Sequence, residues 1–519
     1  QARAQRMENN IGWWLTKRAF LSPDREAYVD GGGGERLTFS VLNARCNQVA
    51  NAFVDSGVRQ GERVGLLLMN SADFVEAYFA LAKIGAVVVP LNWRLVADEL
   101  EFILKDSGTT RLIFDDDFVD TVADLHSRGD KIDIDQWLQV ANGDVAYFAD
   151  DYRAFRDAAD SSEPAIGARD DDMLYIMYTS GTTGLPKGVV HTHNTCVWAC
   201  ITIAATTYFE DGDRFLSPLP MFHVGALTPL TMCIYRGVTS VVMRAFDPVS
   251  AWQIVDAERI TVGLAVPAML NFMLQVRNLE NFDYSRWRWC MSGAAPVPEA
   301  LIEAYEKIGL EIHQVYGLTE SCGPAALIDA ENALKRIGST GKAFYHTDVR
   351  IVDSAGEDCP PGEPGEVLVA GPHIMREYWN RPEATAETLV DGWLHTGDVA
   401  RMDADGFIYI EDRIKDMIIS GGENVYPAEI ENVLQTHPGI SEAGVIGQPS
   451  ERWGESPFVV AVKSDDALTE ADLLEFCRGK LAGYKQPKGA TFVDVLPRNP
   501  SGKILKRLLR DQFPGPAPV

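Results

Sequence analysis

Apolar and polar positions along this chain follow two alternating periods. Positions 63–69 form a compact apolar run, which predicts a buried strand. From Ser71 onward, apolar residues recur at 74, 75, 78, 79 and 82, one face of a helix over 71–84 with Ser71 as its N-cap. Positions 86–89 are again apolar and β-branched, and Pro90 is expected to limit that strand. Positions 96–105 read as helix and 111–114 as strand. The resulting βαβαβ order implies a parallel sheet with helices on its faces. The same order recurs, with strands at 239–243, 261–266 and 311–316 and helices at 249–258 and 301–308. Positions 173–178 are one more apolar run and read as a strand.

Two stretches depart from this pattern. Positions 115–172 are rich in Asp and weak in period, and are expected to be peripheral connections on an acidic surface. From 349 to 410, runs are short and turns dense (Pro360-Pro361-Gly362, Gly365, Asp391-Gly392, Asp405-Gly406), which suits a small antiparallel unit. A compact α+β segment follows Lys415. It has a helix at 428–437, strands at 443–446 and 458–462, and a helix opened by Thr469 with Asp472 three residues on, a capping-box pattern.

Composition narrows the class. A chain of 519 residues needs more than one core, and its 46% hydrophobic content can supply them. Net charge is −27, which argues against nucleic acid and against docking to anionic lipid by charge. The eight cysteines (46, 196, 200, 233, 290, 322, 359, 477) contain no CxxC pair. They predict free thiols in a reducing compartment, with no disulfide framework or zinc site, and so a cytoplasmic location. No run approaches 18 apolar residues, so no integral membrane association is expected. The basic opening has no hydrophobic segment behind it, so no secretory signal is expected, and Met7 is read as the natural start.

The densest chemistry lies in Tyr178-Thr179-Ser180-Gly181-Thr182-Thr183-Gly184-Leu185-Pro186-Lys187-Gly188, just after the 173–178 run. Glycines let backbone N–H groups approach a phosphate, hydroxyls add donors and Lys187 adds charge. The loop is not a Walker A motif, which requires Gly before the lysine and Ser or Thr after it. Here Pro186 precedes Lys187 and Gly188 follows. An ordinary surface turn is the plain alternative. Further motifs follow in order: Ser292-Gly293-Ala294-Ala295-Pro296, Tyr316-Gly317-Leu318-Thr319-Glu320, Thr396-Gly397-Asp398, Asp412-Arg413-Ile414-Lys415-Asp416, Gly421-Gly422-Glu423-Asn424 and Pro500-Ser501-Gly502-Lys503. This ordered set resembles the adenylate-forming superfamily: acyl-CoA ligases, adenylation domains of nonribosomal peptide synthetases, and luciferases.

The resemblance implies an α/β fold. A large N-terminal domain (1–414) would hold parallel α/β sheets and the small antiparallel unit, and a small mobile α+β lid (415–519) would turn on Lys415. It implies that a carboxylic acid attacks the α-phosphate of ATP to give acyl-AMP and pyrophosphate, and that the thiol of coenzyme A then displaces AMP. Glu320 would hold Mg²⁺, an ion content with one carboxylate plus substrate phosphates. Thr179, Ser180, Gly181, Thr182, Thr183, Gly184 and Lys187 would receive the phosphates. Gly293, Ala294, Ala295, Pro296, Gln314, Val315, Tyr316, Gly317, Leu318 and Thr319 would flank the adenosine. Asp398 and Arg413 would reach the ribose, and Lys503 would bridge the carboxylate and the α-phosphate. Gly421, Gly422 and Glu423 would border the CoA tunnel. Each has a plain reading too: a lone Glu is usually a solvated one, and an Asp after Gly a turn residue. His223 stands evenly between an acyl-site residue and a core histidine. Cys322 reads as a small buried hydrophobe.

Among adenylating enzymes, an amino-acid-activating domain is disfavoured. No acidic residue lies between Phe215 and Met232 to meet an α-ammonium, and no carrier domain is expected after the lid. Nothing singles out a luciferase. An AMP-forming acyl-CoA ligase fits best, closest to bacterial fatty-acyl-CoA ligases, with a homodimer left open. The expected acyl pocket (Trp198, His223, Val224, Gly225, Ala226, Val266, Gly293, Gly317, Gly323, Ala325) has no acidic residue. It predicts a hydrophobic medium- or long-chain fatty acid, with a feruloyl- or coumaroyl-type acid as the alternative.

Overall fold

The computed structural model describes residues 9–179, 185–294, 297, 299–353, 355–413, 417–425, 427–497, 504 and 506–516. They fall into two compact units. Arg94–Ile103, Tyr178–Lys187 and Asp412–Val519 form the smaller, and the rest forms the larger.

Strand–helix alternation is observed where the periods predict it. Arg63–Leu67, Ala72–Ile84, Val87–Pro90, Ala97–Ser107 and Thr109–Asp115 follow one another. Arg63–Leu67 pairs in parallel with both Val87–Pro90 and Thr109–Asp115. The strand ends at Pro90, the residue expected to limit it. These strands belong to an eight-stranded sheet that ends at Glu377–Tyr378 on one side and Asp150–Asp151 on the other. The expectation that 115–172 only connects is corrected. Gln136–Val140 adds a parallel strand beside Thr109–Asp115, and Asp150–Asp151 adds another. Their signal is weak because they span five and two residues, too few to show a period.

A nine-stranded sheet is the second layer. Six of its strands run parallel: Glu26–Asp30, Thr239–Val242, Arg214–Ser217, Val262–Leu264, Trp289–Ser292 and Glu311–Tyr316. The main core includes residues of the helices Phe39–Asp55, Ala72–Ile84, His193–Thr206 and Val224–Arg236. Ala72–Ile84 corrects the one-face reading, because all of its residues are buried. Its charged residues stay there because each is paired. Asp73 meets Arg153 at 2.8 Å, and Glu76 meets Arg45 at 3.0 Å and Arg156 at 2.9 Å. The Lys83 ammonium donates to Thr16, Asn43, Asn47 and Glu163 at 2.6–2.9 Å. Ser71 caps the helix, accepting the Phe74 N–H at 3.2 Å.

The expected antiparallel unit is present: Asp348–Val352, Gly365–Ala370, Trp393–Met402 and Leu389–Val390 pair in that order. In the smaller unit, the helices Pro427–Gln435 and Glu470–Cys477 accompany a five-stranded sheet built on Ile440–Ser450 and Gly454–Lys463. Thr469 and Asp472 form the predicted capping box. All eight cysteines are free. Among the described residues, no helix is long and apolar enough to cross a membrane.

Candidate active site

Strand Glu311–Tyr316 has the predicted bounds, and the chain turns sharply at its carboxyl end. Glu320 lies in that turn, half-buried. Its Oε1 accepts the Tyr378 hydroxyl at 2.7 Å, and its main-chain carbonyl accepts the Met375 N–H at 2.7 Å. Tyr378 pairs with Val189 in the strand that leaves the glycine-rich loop. Two histidines brace the turn from behind. His191 Nε2 is 2.7 Å from the Thr319 carbonyl, and its Nδ1 is 3.0 Å from Thr195 Oγ1. His373 Nδ1 is 2.8 Å from the Ser321 carbonyl, and its Nε2 is 2.7 Å from Thr347 Oγ1. Burial depresses the His373 imidazole to about 4, so it is neutral at pH 7. A neutral ring can donate from Nδ1 and accept at Nε2, which satisfies both contacts.

Asp398 is almost fully buried and accepts the Tyr316 hydroxyl on Oδ2 at 2.7 Å. Gly397 before it takes φ +72°, and the Asp398 N–H donates to Thr396 Oγ1 at 3.1 Å. The Thr396 hydroxyl in turn donates to the Val367 carbonyl at 2.8 Å. The segments assigned to adenine and ribose thus meet through one hydrogen bond. Gln314 is buried in its strand, and Val315, Leu318 and Thr319 are half-buried. Ala294 is exposed with φ +67°. Two glycines allow backbones to touch: a Cβ on Gly293 would lie 2.3 Å from the Val315 carbonyl oxygen, and one on Gly317 would lie 1.5 Å from that of Gly323.

On the expected acyl side, His223 is the N-cap residue of Val224–Arg236 and is half-buried, its ring 4.5 Å from that of Phe222. Phe222 meets Trp93 edge-on at 6.0 Å. Val224 and Gly225 are half-buried, while Ala226, Val266 and Ala325 are buried. Trp198 is half-buried and meets His346 edge-on at 5.3 Å. Gly323 takes φ +117°. The Thr228 hydroxyl donates to the Cys322 carbonyl at 2.8 Å and ties this helix to the Glu320 turn. Cys322 is fully buried, and burial pushes its thiol well above the usual range, which removes it as a nucleophile.

Thr179 ends Met173–Thr179 and Lys187 opens Lys187–Thr192. Ser180, Gly181, Thr182, Thr183, Gly184, Ala295, Pro296, Lys415 and Lys503 lie outside the described residues, as does the side chain of Arg413. In the smaller unit, Gly421 and Gly422 take φ +61° and +82° at the tip of a hairpin that pairs Ser420 with Glu423. Positive φ at both central positions is the geometry that favours glycine pairs in two-residue hairpins. Glu423 is buried against Arg94. Lys485 is also buried, 2.9 Å from Glu99 and 2.7 Å from Glu429.

Tyr378, His191 and His373 were missed by sequence reasoning. Each is a single residue with no spacing to mark it, and only the tertiary fold brings them to the Glu320 turn. No group of three or more His, Cys, Asp or Glu among the described residues could hold a metal. A lone carboxylate still fits a magnesium ion carried in on substrate phosphates.

Residues 15–379 match the AMP-binding enzyme family, and 429–503 match the AMP-binding enzyme C-terminal domain. The chain is 44% identical over 510 residues to the long-chain-fatty-acid–CoA ligase FadD13 of Mycobacterium tuberculosis, covering 98% of this chain and 99% of that one. It is 41% identical over 505 residues to the feruloyl-CoA synthase of an Amycolatopsis species, covering 97% and 99%. Among solved structures, a Mycobacterium tuberculosis fatty acyl CoA synthetase shares 43% identity at a TM-score of 0.75, covering 97% and 98%. With both family regions matched in order and these relatives aligned almost end to end, the chain belongs to the AMP-binding enzyme family, the adenylate-forming enzymes that its motifs resemble.

Proposed function

We propose that this chain is an AMP-forming acid–CoA ligase that makes acyl-AMP and then acyl-CoA, with a medium- or long-chain fatty acid as its substrate. The observation that carries this reading is the 44% identity to a long-chain-fatty-acid–CoA ligase along 98% of the chain. A carboxylate is a poor acyl donor because its leaving group would be oxide. Attack on the α-phosphate of ATP converts it to a mixed anhydride and releases pyrophosphate. The CoA thiol then attacks the acyl carbon and AMP leaves.

In this reading, Asp398 accepts the ribose hydroxyls, oriented by the Tyr316 hydroxyl that it already holds. Tyr316 and Gln314 with the 293–296 turn flank the adenine. Thr179, Lys187 and the loop between them receive the phosphates, and Arg413 adds a ribose contact. Glu320, oriented by Tyr378, would hold Mg²⁺, which supplies charge neutralisation at the phosphates when bound. Lys503 serves the α-phosphate during adenylation, and Gly421, Gly422 and Glu423 serve CoA. The 415–519 segment acts as a lid hinged at Lys415, and the cytoplasm is the proposed location.

The acyl side supports a neutral tail, because Val224, Gly225, Ala226, Val266 and Ala325 are small or apolar. An aryl acid of the feruloyl type is the second reading, and the 41% identity to a feruloyl-CoA synthase supports it. Product chromatography tests the reaction: AMP is expected, and ADP would overturn the mechanism. Comparing kcat/KM for dodecanoate and ferulate tests the acid. A preference for ferulate above about tenfold, roughly 1.4 kcal/mol at the transition state, would make the aryl reading the right one.

A further inference from the structure

Asn70 follows strand Arg63–Leu67 by three residues and is buried, with 4% of its surface exposed. Its amide joins three carboxyl ends of parallel strands drawn from both sheets. Nδ2 donates to the Leu219 carbonyl at 2.8 Å and to the Met243 carbonyl at 2.9 Å. Oδ1 accepts the Met221 N–H at 2.8 Å. Leu219 lies just beyond strand Arg214–Ser217 and Met243 just beyond Thr239–Val242. Both protons of Nδ2 and one lone pair of Oδ1 are thereby used. No other uncharged side chain of this size offers two donors and an acceptor in that fork.

Two of these bonds bracket the entry to the acyl-side helix. Met221 sits inside a turn that the His223 N–H closes on the Pro220 carbonyl at 3.1 Å. The His223 carbonyl then accepts the N–H groups of Ala226 and Leu227 and starts the helix. Met221 and Phe222 are buried, and the Asn70 fork adds polar anchors on either side of Pro220 to that packing. A shift of Leu219–Met221 would move His223, Val224 and Gly225 together.

We propose that Asn70 is the positioning residue of the acid-binding side. It fixes the 219–223 turn and, through it, the placement of His223, Val224 and Gly225 against the substrate tail. This rests on the reading of those three residues as acyl-facing. Among the described residues, the hydrogen bonds of the Asn70 side chain go to Leu219, Met221 and Met243 and not to a proposed nucleotide segment, so its effect is directed at the acid and not at ATP.

The test uses the full-length enzyme and acid-dependent pyrophosphate exchange. In Asn70→Asp, two carbonyls lose their donors and face a carboxylate. KM for the best fatty acid should rise about tenfold or more, while KM for ATP stays within about twofold, as expected when buried acceptors lose their partners on one side only. Lowering the pH should narrow the gap to wild type, because the protonated acid regains an O–H donor. Asn70→Ala should show the same split without the pH rescue. If either variant fails to fold, Asn70→Ser, which keeps one donor, should show a smaller split in the same direction. Equal changes in both KM values, or lower thermal stability with both KM values unchanged, would make Asn70 a plain structural residue and overturn the proposal. If wild type released no AMP with any acid, the ligase reading itself would fail, a result distinct from either of these.

Discussion

Gly317 and Gly225 are both small residues at the candidate site, yet they are small for opposite reasons. Gly317 follows the strand that carries Tyr316, and a Cβ there would lie 1.5 Å from the Gly323 carbonyl oxygen. Gly225 is the second residue of Val224–Arg236, and a Cβ there would meet only Leu219 Cδ1, at 3.4 Å. On the nucleotide side, glycine exists because main chain presses on main chain. On the acyl side, it leaves room that a methyl group could occupy. The proposed nucleotide side is thus an arrangement of backbone turns and paired polar groups, whereas Gly225, on the proposed acyl side, has room for one more carbon. Substitutions should respect that difference.

The largest effect is expected on the nucleotide side, at Glu320. Glu320→Gln keeps the shape and an acceptor for the Tyr378 hydroxyl but removes the charge. Adenylation should fall by about a thousandfold, or roughly 4 kcal/mol, the scale for losing one aimed electrostatic group. Pyrophosphate exchange measured against Mg²⁺ concentration checks it. An unchanged Mg²⁺ dependence would remove Glu320 from the metal.

Gly317→Ala comes next. The added carbon cannot fit without separating residue 317 from Gly323, and main chain has no rotamer with which to yield. A loss of about 3 kcal/mol or more in urea unfolding is expected, the scale of overpacking plus backbone strain. Normal stability would mean that the Gly317–Gly323 approach relaxes freely and that the contrast with Gly225 is not real.

His373 provides a pH test of the same side. Its folded value of about 4 lies below the ordinary 6.5. The unfolded chain therefore binds the proton more readily, and folding stability is lost as pH is lowered through that window. The contribution is complete above about pH 6.5 and is lost as pH falls through about 4; it amounts to about 3 kcal/mol. Unfolding free energies of wild type and His373→Gln, followed from pH 7.5 to 4.5, should converge in the acid. Parallel curves would mean that the imidazole is not held neutral behind Ser321.

These two sides also differ in how far the sequence revealed them. The βαβ order was readable from period alone, because strands such as 63–67 and 311–316 are apolar runs bounded by helix-period segments. Glu320 and Asp398 stood out only through motifs that resemble those of the adenylate-forming superfamily; taken alone, one reads as a solvated glutamate and the other as a turn aspartate. Their partners Tyr378 and Tyr316 did not stand out in that role, since a hydroxyl reaching from one element to a residue distant in sequence leaves no trace in local order. Helix Ala72–Ile84 was misread as one-sided because Asp73, Glu76 and Lys83 look solvated until Arg153, Arg45, Arg156 and Glu163 come to meet them. The proposed acyl side had no signature beyond an absence of charge, for many apolar combinations can line such a site.

The smallest expected effect tests the space at Gly225 directly. Gly225→Ala adds one methyl group into space and replaces glycine in the first turn of a helix. Stability should hold or rise by up to about 1 kcal/mol, since alanine loses less backbone entropy there. If Gly225 faces the acid, the methyl group takes the room of about one methylene of substrate, worth roughly 0.8 kcal/mol or about fourfold in kcat/KM. That loss should fall on the longest accepted fatty acid and spare acids a few carbons shorter, with KM for ATP unchanged. Measuring kcat/KM across a series of saturated acids, together with a thermal melt, reads both effects in one variant. A uniform loss across the series would mean that the methyl group disturbs the turn at Leu219 instead of filling the pocket. No change at any length would place Gly225 outside the acyl path.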